Sequence, residues 1–181
     1  MRTVRYSVAM SLDGYIAGAA GEYDWIPTDP AIDFEAFFAE IDIVLMGRRT
    51  FEVALEQGTG GLLPGKRTYV FSHTLRPEDH PDATIVAQDA ASVVAALRAE
   101  EGKDIWLMGG GLLFASLLEA SLVDTVEVGV VPILLGSGIP FLPGAPASVR
   151  LELTGSETFP SGIVLLEYEV HRDSADRSEG A

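Results

Sequence analysis

Cysteine is absent from the 181 residues, which excludes a disulfide framework and a thiolate metal site. Histidine is scarce: His73, His80 and His171 are too scattered for a metal site or a catalytic triad, and the last two read as surface residues. Positive charge is scarce too, with 12 Lys and Arg against 27 Asp and Glu and a formal net charge of −15. Such a field argues against nucleic acid and against an anionic membrane surface. It does not bar one small anionic ligand, because local arginines and backbone donors overrule a distant field. No apolar run reaches the roughly 20 residues that span a bilayer. Residues 1–6 lack the apolar core of a signal peptide, so the expected location is cytoplasmic.

What the chain does have is glycine at telling places. The stretch Ile105-Trp106-Leu107-Met108-Gly109-Gly110-Gly111-Leu112-Leu113-Phe114 reads as a buried strand, a bare turn and a first helical turn. Adjacent glycines let backbone N–H groups reach a ligand with no Cβ in the way, and a helix N-terminus adds partial positive charge. Together they suit a phosphate or pyrophosphate. Taken alone, the run is equally a tight connection that binds nothing. Met46-Gly47-Arg48-Arg49-Thr50 repeats the pattern with two arginines and a hydroxyl. Cations oppose the dipole at a helix start, a misfit that an anionic partner removes. A solvated helix start is the plainer alternative. The spacing from Gly60 to Gly65-Lys66 imitates a phosphate-binding P-loop. Arg67 stands where that motif needs Ser or Thr, and a strand rather than a helix follows, so the match is rejected.

Strand composition recurs at 3–10, 42–46, 67–72, 83–86, 105–108, 124–132, 150–154 and 163–170, with helical spacing between several of these runs. The pattern predicts an α/β fold. One mostly parallel twisted sheet is flanked by helices on both faces and ends in an antiparallel C-terminal edge. A single domain is expected over 1–171, followed by a small, charged, disordered tail at 172–181. Residues 11–25 are glycine-rich yet carry Tyr15, Ile16, Tyr23 and Trp25, which suits a loop covering a ligand. A surface loop pinned by its own aromatics is the alternative. In parallel sheets ligands bind beyond the carboxyl ends of the strands, where the loops after Met10, Met46, Phe71 and Met108 would open.

Five motifs in order then carry a resemblance: Met10-Ser11-Leu12-Asp13-Gly14, Met46-Gly47-Arg48-Arg49-Thr50-Phe51, Val70-Phe71-Ser72-His73, Met108-Gly109-Gly110-Gly111 and Pro132-Ile133-Leu134-Leu135-Gly136-Ser137-Gly138. Over residues 1–170 the chain resembles the dihydrofolate reductase-like superfamily. Within it, the chain is most similar to the branch related to the C-terminal reductase domain of bacterial riboflavin biosynthesis enzymes. The resemblance implies NADPH as cofactor. Met108, Gly109, Gly110, Gly111 and Leu112 would match the turn against its pyrophosphate, where the peptide between the first two glycines is typically cis. Gly47, Arg48, Arg49 and Thr50 would match the helix start at its phosphates, and Ser72 and His73 the strand end near the adenosine 2′-phosphate. Ala9 and Ile16 would line the nicotinamide, and 14–25 would be the mobile loop above it.

The same resemblance implies hydride transfer to a small heterocycle, either a dihydrofolate or pterin or a ribosylaminopyrimidine of flavin biosynthesis. Asp33 is the candidate proton donor, since Asp33-Phe34-Glu35-Ala36-Phe37 repeats the family's acid four residues before phenylalanine. A helix-start acid stabilised by the dipole is the alternative for Asp33. Asp13, Trp25 and Phe37 are the candidate substrate contacts, although Leu-Asp-Gly is also ordinary turn chemistry. A ribose-phosphate substrate would need an additional basic patch in the substrate half of the cleft. The family leans towards homodimers, and the apolar segment 128–141 is the candidate contact. A non-catalytic nucleotide-binding or regulatory module on the same fold is the competing reading.

Overall fold

The computed structural model describes residues 1–56, 63–144 and 148–171. The 172–181 tail and Gly60 of the rejected P-loop lie outside them. The chain forms strands β1 (Val4–Ser11) and β2 (Tyr15–Ala17), helix α1 (Phe34–Glu40), β3 (Ile41–Gly47), α2 (Arg48–Ala54), β4 (Arg67–Phe71) and β5 (Thr84–Val86). There follow α3 (Ala90–Ala99), β6 (Asp104–Gly109), α4 (Gly111–Glu119), β7 (Thr125–Val131), β8 (Ile139–Pro140), β9 (Leu151–Thr158) and β10 (Val164–Val170).

Eight strands make one sheet in the order β5-β4-β3-β6-β1-β7-β10-β9. The first six are parallel, β10 runs antiparallel to β7, and β9 antiparallel to β10. This is the expected α/β architecture with its antiparallel C-terminal edge. Alternation along each strand sorts side chains to two faces. On one face Val4, Tyr6, Ile43, Leu45, Ile105 and Leu107 pack under Val94 and Leu97 of α3 and Phe114 and Leu117 of α4. On the other, Val44, Met46 and Val70 pack with Phe51 of α2, and Phe37 of α1 covers Trp106. Covered on both faces, β3 must be apolar almost throughout, as Ile-Asp-Ile-Val-Leu-Met-Gly is. A third cluster joins Val131, Phe159 and Ile163 with Ala9, Trp25, Ile26 and Ile32.

Two readings of the sequence need correction. Residues 14–25 are not all loop, because β2 pairs antiparallel with β8 in a second, two-stranded sheet. The edge strand β9 runs to Thr158 rather than ending at Thr154. Among the described residues no helix is long and apolar enough to cross a membrane.

Candidate functional site

The site is built on a parting of the two central strands. β1 pairs with β6 only over Val4–Tyr6. From Ser7 to Ser11 it pairs with β7 alone, while β6 continues against β3 as far as Gly109. The sheet therefore opens between β1 and β6 at their carboxyl ends. The chain also changes direction here. After β1 it works outward through β3, β4 and β5, and after β6 it crosses to the other side at β7. Such a switch point is where open α/β sheets bind ligands. Trp106 closes the floor of the gap, its indole Nε1 donating to the Ser7 carbonyl at 2.9 Å.

The turns after β3 and β6 meet beside this opening. Met46 is in register with Gly109, and a Cβ added at Gly47 would lie 3.8 Å from the Gly110 nitrogen. A Cβ at Gly109 would lie 3.2 Å from Thr50 Oγ1. The Gly109–Gly110 peptide is cis. The three glycines of the turn have different physical reasons. At Gly111 a Cβ would meet Pro143 Cδ at 2.6 Å and the Pro140 carbonyl oxygen at 2.8 Å, so this glycine serves internal packing. At Gly110 the nearest atom is Thr50 Oγ1 at 3.6 Å, an ordinary contact, and φ is −65°. Gly47 is similar, with φ −76°. Neither residue needs to be glycine for the chain's own sake. Both leave bare backbone facing one opening, where the first N–H groups of α4 have no intrahelical acceptor.

Around the turns, Arg48 Nη1 donates to Glu52 at 3.0 Å, both side chains being exposed. Arg49 is exposed and makes no ion pair among the described residues. The Ser72 hydroxyl is occupied locally, accepting from the N–H groups of Thr74 and Leu75 at 3.1 Å each. His73 is exposed. Both residues line a groove of about 300 Å³ with Phe71, Gln88, Asp89 and Ser116. Asp89 caps α3, and the Ser92 hydroxyl and N–H hold its carboxyl below the usual carboxylate range.

Across the opening, Asp33 caps α1 by accepting from Ala36 N at 2.8 Å, on the exposed side of the helix. Phe37 meets Trp106 edge to face with ring centroids 5.2 Å apart. Trp25 packs in the cluster that holds Ala9 and Ile32, its Nε1 donating to the Glu22 carbonyl at 3.0 Å. Asp13 is turned towards its own neighbours. Its carboxylate accepts from Ser11 Oγ at 2.7 Å, Gly136 N at 2.7 Å and Leu135 N at 3.1 Å, and these bonds hold it below the usual range. Ile16 lies in β2, Met108 packs into the core beside Trp106, and Leu112 is exposed in the first turn of α4.

Gly47, Thr50, Gly109 and Gly110 are therefore brought together, and Arg48, Arg49, Ser72 and His73 lie on the same sheet edge. Three residues that sequence reasoning passed over help to build the site. Arg5 and Glu127 form a half-buried pair, Arg5 Nε–Glu127 Oε1 at 2.7 Å and Nη2–Oε2 at 3.1 Å. Charges at single positions between Val4 and Tyr6, and between Val126 and Val128, were the available signal. Asp29 is buried and accepts from Ala31 N at 2.9 Å and Ser161 N at 2.8 Å, tying the segment beside Trp25 to the β9–β10 turn.

A family model described as the RibD C-terminal domain matches residues 2–165. The uncharacterized protein YyaP of Bacillus subtilis (strain 168) is 32% identical over 178 residues, covering 92% of this chain and 94% of that protein. Among solved structures, a Shewanella sp. PV-4 protein described under riboflavin biosynthesis superposes with a TM-score of 0.80 at 27% identity, covering 95% of this chain and all of the other. Dihydrofolate reductase from Enterococcus faecalis, complexed with NADP(H), shares the fold with a TM-score of 0.66 at 20% identity, covering 95% of this chain and 97% of that one.

Proposed function

The chain belongs to the RibD C-terminal domain family, and on that premise we propose that it is an NADPH-dependent reductase of a small pterin-like or aminopyrimidine heterocycle. The observation that carries this reading is the opening between β1 and β6, bordered by the bare backbone of Gly47 and Gly110. Glycine at those two positions is unexplained by packing, and the α4 N-terminus beside them favours negative charge. That combination fits the pyrophosphate of a dinucleotide. We assign Arg49 and Thr50 as donors beside it and Arg48, held in place by Glu52, to the 2′-phosphate at the adenosine end. The groove at Phe71, Ser72 and His73 fits the adenosine end, and the gap beside Ala9 fits the nicotinamide.

When bound there, a reduced nicotinamide would supply the hydride for the carbon of a C=N bond, and the nitrogen would need one proton from the protein side. The chain's part is to align and to exclude water. Trp106 fixes the floor, Trp25 and Phe37 wall the acceptor, and the segment pinned by Asp29 covers it. Asp33 Oδ1 holds α1 closed, and Oδ2 is the oxygen we assign to pass the proton.

The test is a titration with NADPH and NADH followed by turnover with dihydropterins and aminopyrimidines. NADPH should bind, and Arg48→Ala should weaken NADPH by about tenfold while leaving NADH nearly unchanged. Equal losses for both would remove the 2′-phosphate contact. Binding without oxidation of the cofactor across the panel would favour the non-catalytic module.

A further inference from the structure

The placement of positive charge limits what the substrate half of the cleft can accept. Of the 12 lysines and arginines, all but Arg172 and Arg177 are described. Six lie at the amino ends of the strands, away from the opening. Arg2 pairs with Asp42, Arg67 with Glu100, and Arg98 with Asp124. Lys66 and Lys103 donate to backbone carbonyls at the carboxyl end of α1, and Arg150 precedes β9. Arg48, Arg49 and Arg76 are at the carboxyl edge, but all three follow β3 or β4 and so belong to the cofactor half. His73 and His80 follow β4 as well, and His171 follows β10 at the amino edge.

The tenth described cation, Arg5, also lies towards the amino ends of the strands, beneath the carboxyl end of α1, and it is consumed. The Arg5 guanidinium stacks 5.0 Å from the Phe37 ring centre. Its N–H groups go to Glu127 at 2.7 and 3.1 Å, to Glu40 at 2.5 Å and to Asp104 at 3.5 Å. Three carboxylates surround the one guanidinium there, so it has nothing left to offer a ligand at the opening. At the other end of the helix, beside the opening, Asp33 and Glu35 place two carboxylates at the exposed start of α1. A phosphate in the substrate half would find no free donor cation among the described residues and would face the carboxylates of Asp33 and Glu35.

We infer that the substrate is a flat heterocycle that carries no phosphate and is neutral or cationic at neutral pH. This deepens the reductase reading and rests on it. Phe37 against Trp106 in one cluster and Trp25 beside Ala9 in another offer aromatic surface for a flat ring, and the carboxylates of Asp33 and Glu35 reward ring amino groups or a protonated ring nitrogen. A ribosylaminopyrimidine would thus be taken without its 5′-phosphate.

The experiment uses the full chain and matched pairs: a ribosylaminopyrimidine with and without its 5′-phosphate, and a dihydropterin with and without a phosphorylated side chain. NADPH binding is measured first, and its failure would sink the reductase reading itself. With NADPH bound, kcat/KM for the unphosphorylated member should be at least about tenfold higher in each pair. Glu35→Arg, on the exposed face of α1, should narrow that ratio about threefold or more. Arg172→Ala with Arg177→Ala should leave the ratio unchanged. Indifference, preference for the phosphorylated member, or a ratio that moves with the two tail arginines would overturn the inference. If NADPH binds and no member is reduced, calorimetric affinities for the NADP⁺-loaded protein decide by the same ratio. No binding by either member would also overturn the inference, while leaving the cofactor half standing.

Discussion

At the scale of single residues, glycines that look alike in sequence do different work. Gly47 has backbone angles open to any residue, and a Cβ there would meet nothing closer than 3.8 Å. Gly47→Ala is therefore expected to fold with an unchanged thermal midpoint. It should lose NADPH affinity by about tenfold or more, because a methyl group would hold a phosphate off the backbone donors. Gly111→Ala should behave in the opposite way. Its Cβ would collide with Pro143 and the Pro140 carbonyl, costing about 1–3 kcal/mol of stability before any ligand is added. Thermal melts beside fluorescence titrations separate the two, and a stable Gly47→Ala that binds NADPH normally would remove the phosphate from this turn. The sequence displays Gly109, Gly110 and Gly111 as one motif, since it records the missing side chain and not the atoms that require its absence. Arg5 and Glu127 were hidden for a related reason. Each is a lone charge in an apolar strand, and only the pairing of β1 with β7 brings them diagonally within reach on one face.

At the scale of elements, the short pieces around the opening are held by tertiary ties rather than by their own propensity. α1 has seven residues and no fully buried side chain, too little to persist alone. Lys66 Nζ donates to the Phe38 and Ile41 carbonyls, Lys103 Nζ to the Ala39 carbonyl, and Glu40 grips Arg5. Lys66→Ala should cost about 1.5–3 kcal/mol. It should also raise KM for the heterocycle while leaving NADPH affinity unchanged, because Asp33 and Phe37 ride on this helix and the glycine turns do not. A parallel loss of NADPH affinity would place α1 in the cofactor half instead. On the other wall, hydrogen bonds from Ser161 and Ala31 hold the buried Asp29 carboxyl below its ordinary range. A carboxyl depressed by folding stabilises fully above the unfolded value of about 3.9, and that contribution is lost as pH falls through the lower folded value. The melting temperature should therefore drop between about pH 5 and 3, and Asp29→Asn should flatten part of that drop. Identical pH profiles for the two proteins would mean that the tie contributes nothing. The pairing of β2 with β8 went unread because it spans two or three residues with a register shift, too short for any periodicity to register. The end of β9 was missed because Gly155-Ser156-Glu157-Thr158 has the composition of a turn. It is a polar edge strand whose pairing with β10 defines it.

At the scale of the whole molecule, the mostly parallel sheet was legible because strands covered on both faces have to be apolar, and β3 and β6 announce themselves that way, whereas the strand order was not. The parting of β1 from β6 was not, since it is a property of pairing and leaves no mark on either strand's composition. Net charge, by contrast, can be read completely from sequence, and it makes a prediction about rates. At −15 the molecule repels an anionic dinucleotide at long range, whereas Arg49 and the α4 N-terminus attract it only at contact. The two effects respond differently to salt, because the Debye length is about 10 Å at 0.1 M and shrinks further above it. Added salt should screen the distant repulsion first. The association rate of NADPH in stopped flow is therefore expected to rise roughly two- to fivefold between about 10 and 200 mM salt. The dissociation rate should rise less, since the contacts at the turn are partly shielded from solvent. A neutral heterocycle should show no salt dependence in its association rate. If NADPH association instead slowed with salt, a local positive potential would extend well beyond the cleft. The cations assigned above to internal carboxylates and carbonyls would then be reaching solution, and the case for an unphosphorylated substrate would fall with that assignment.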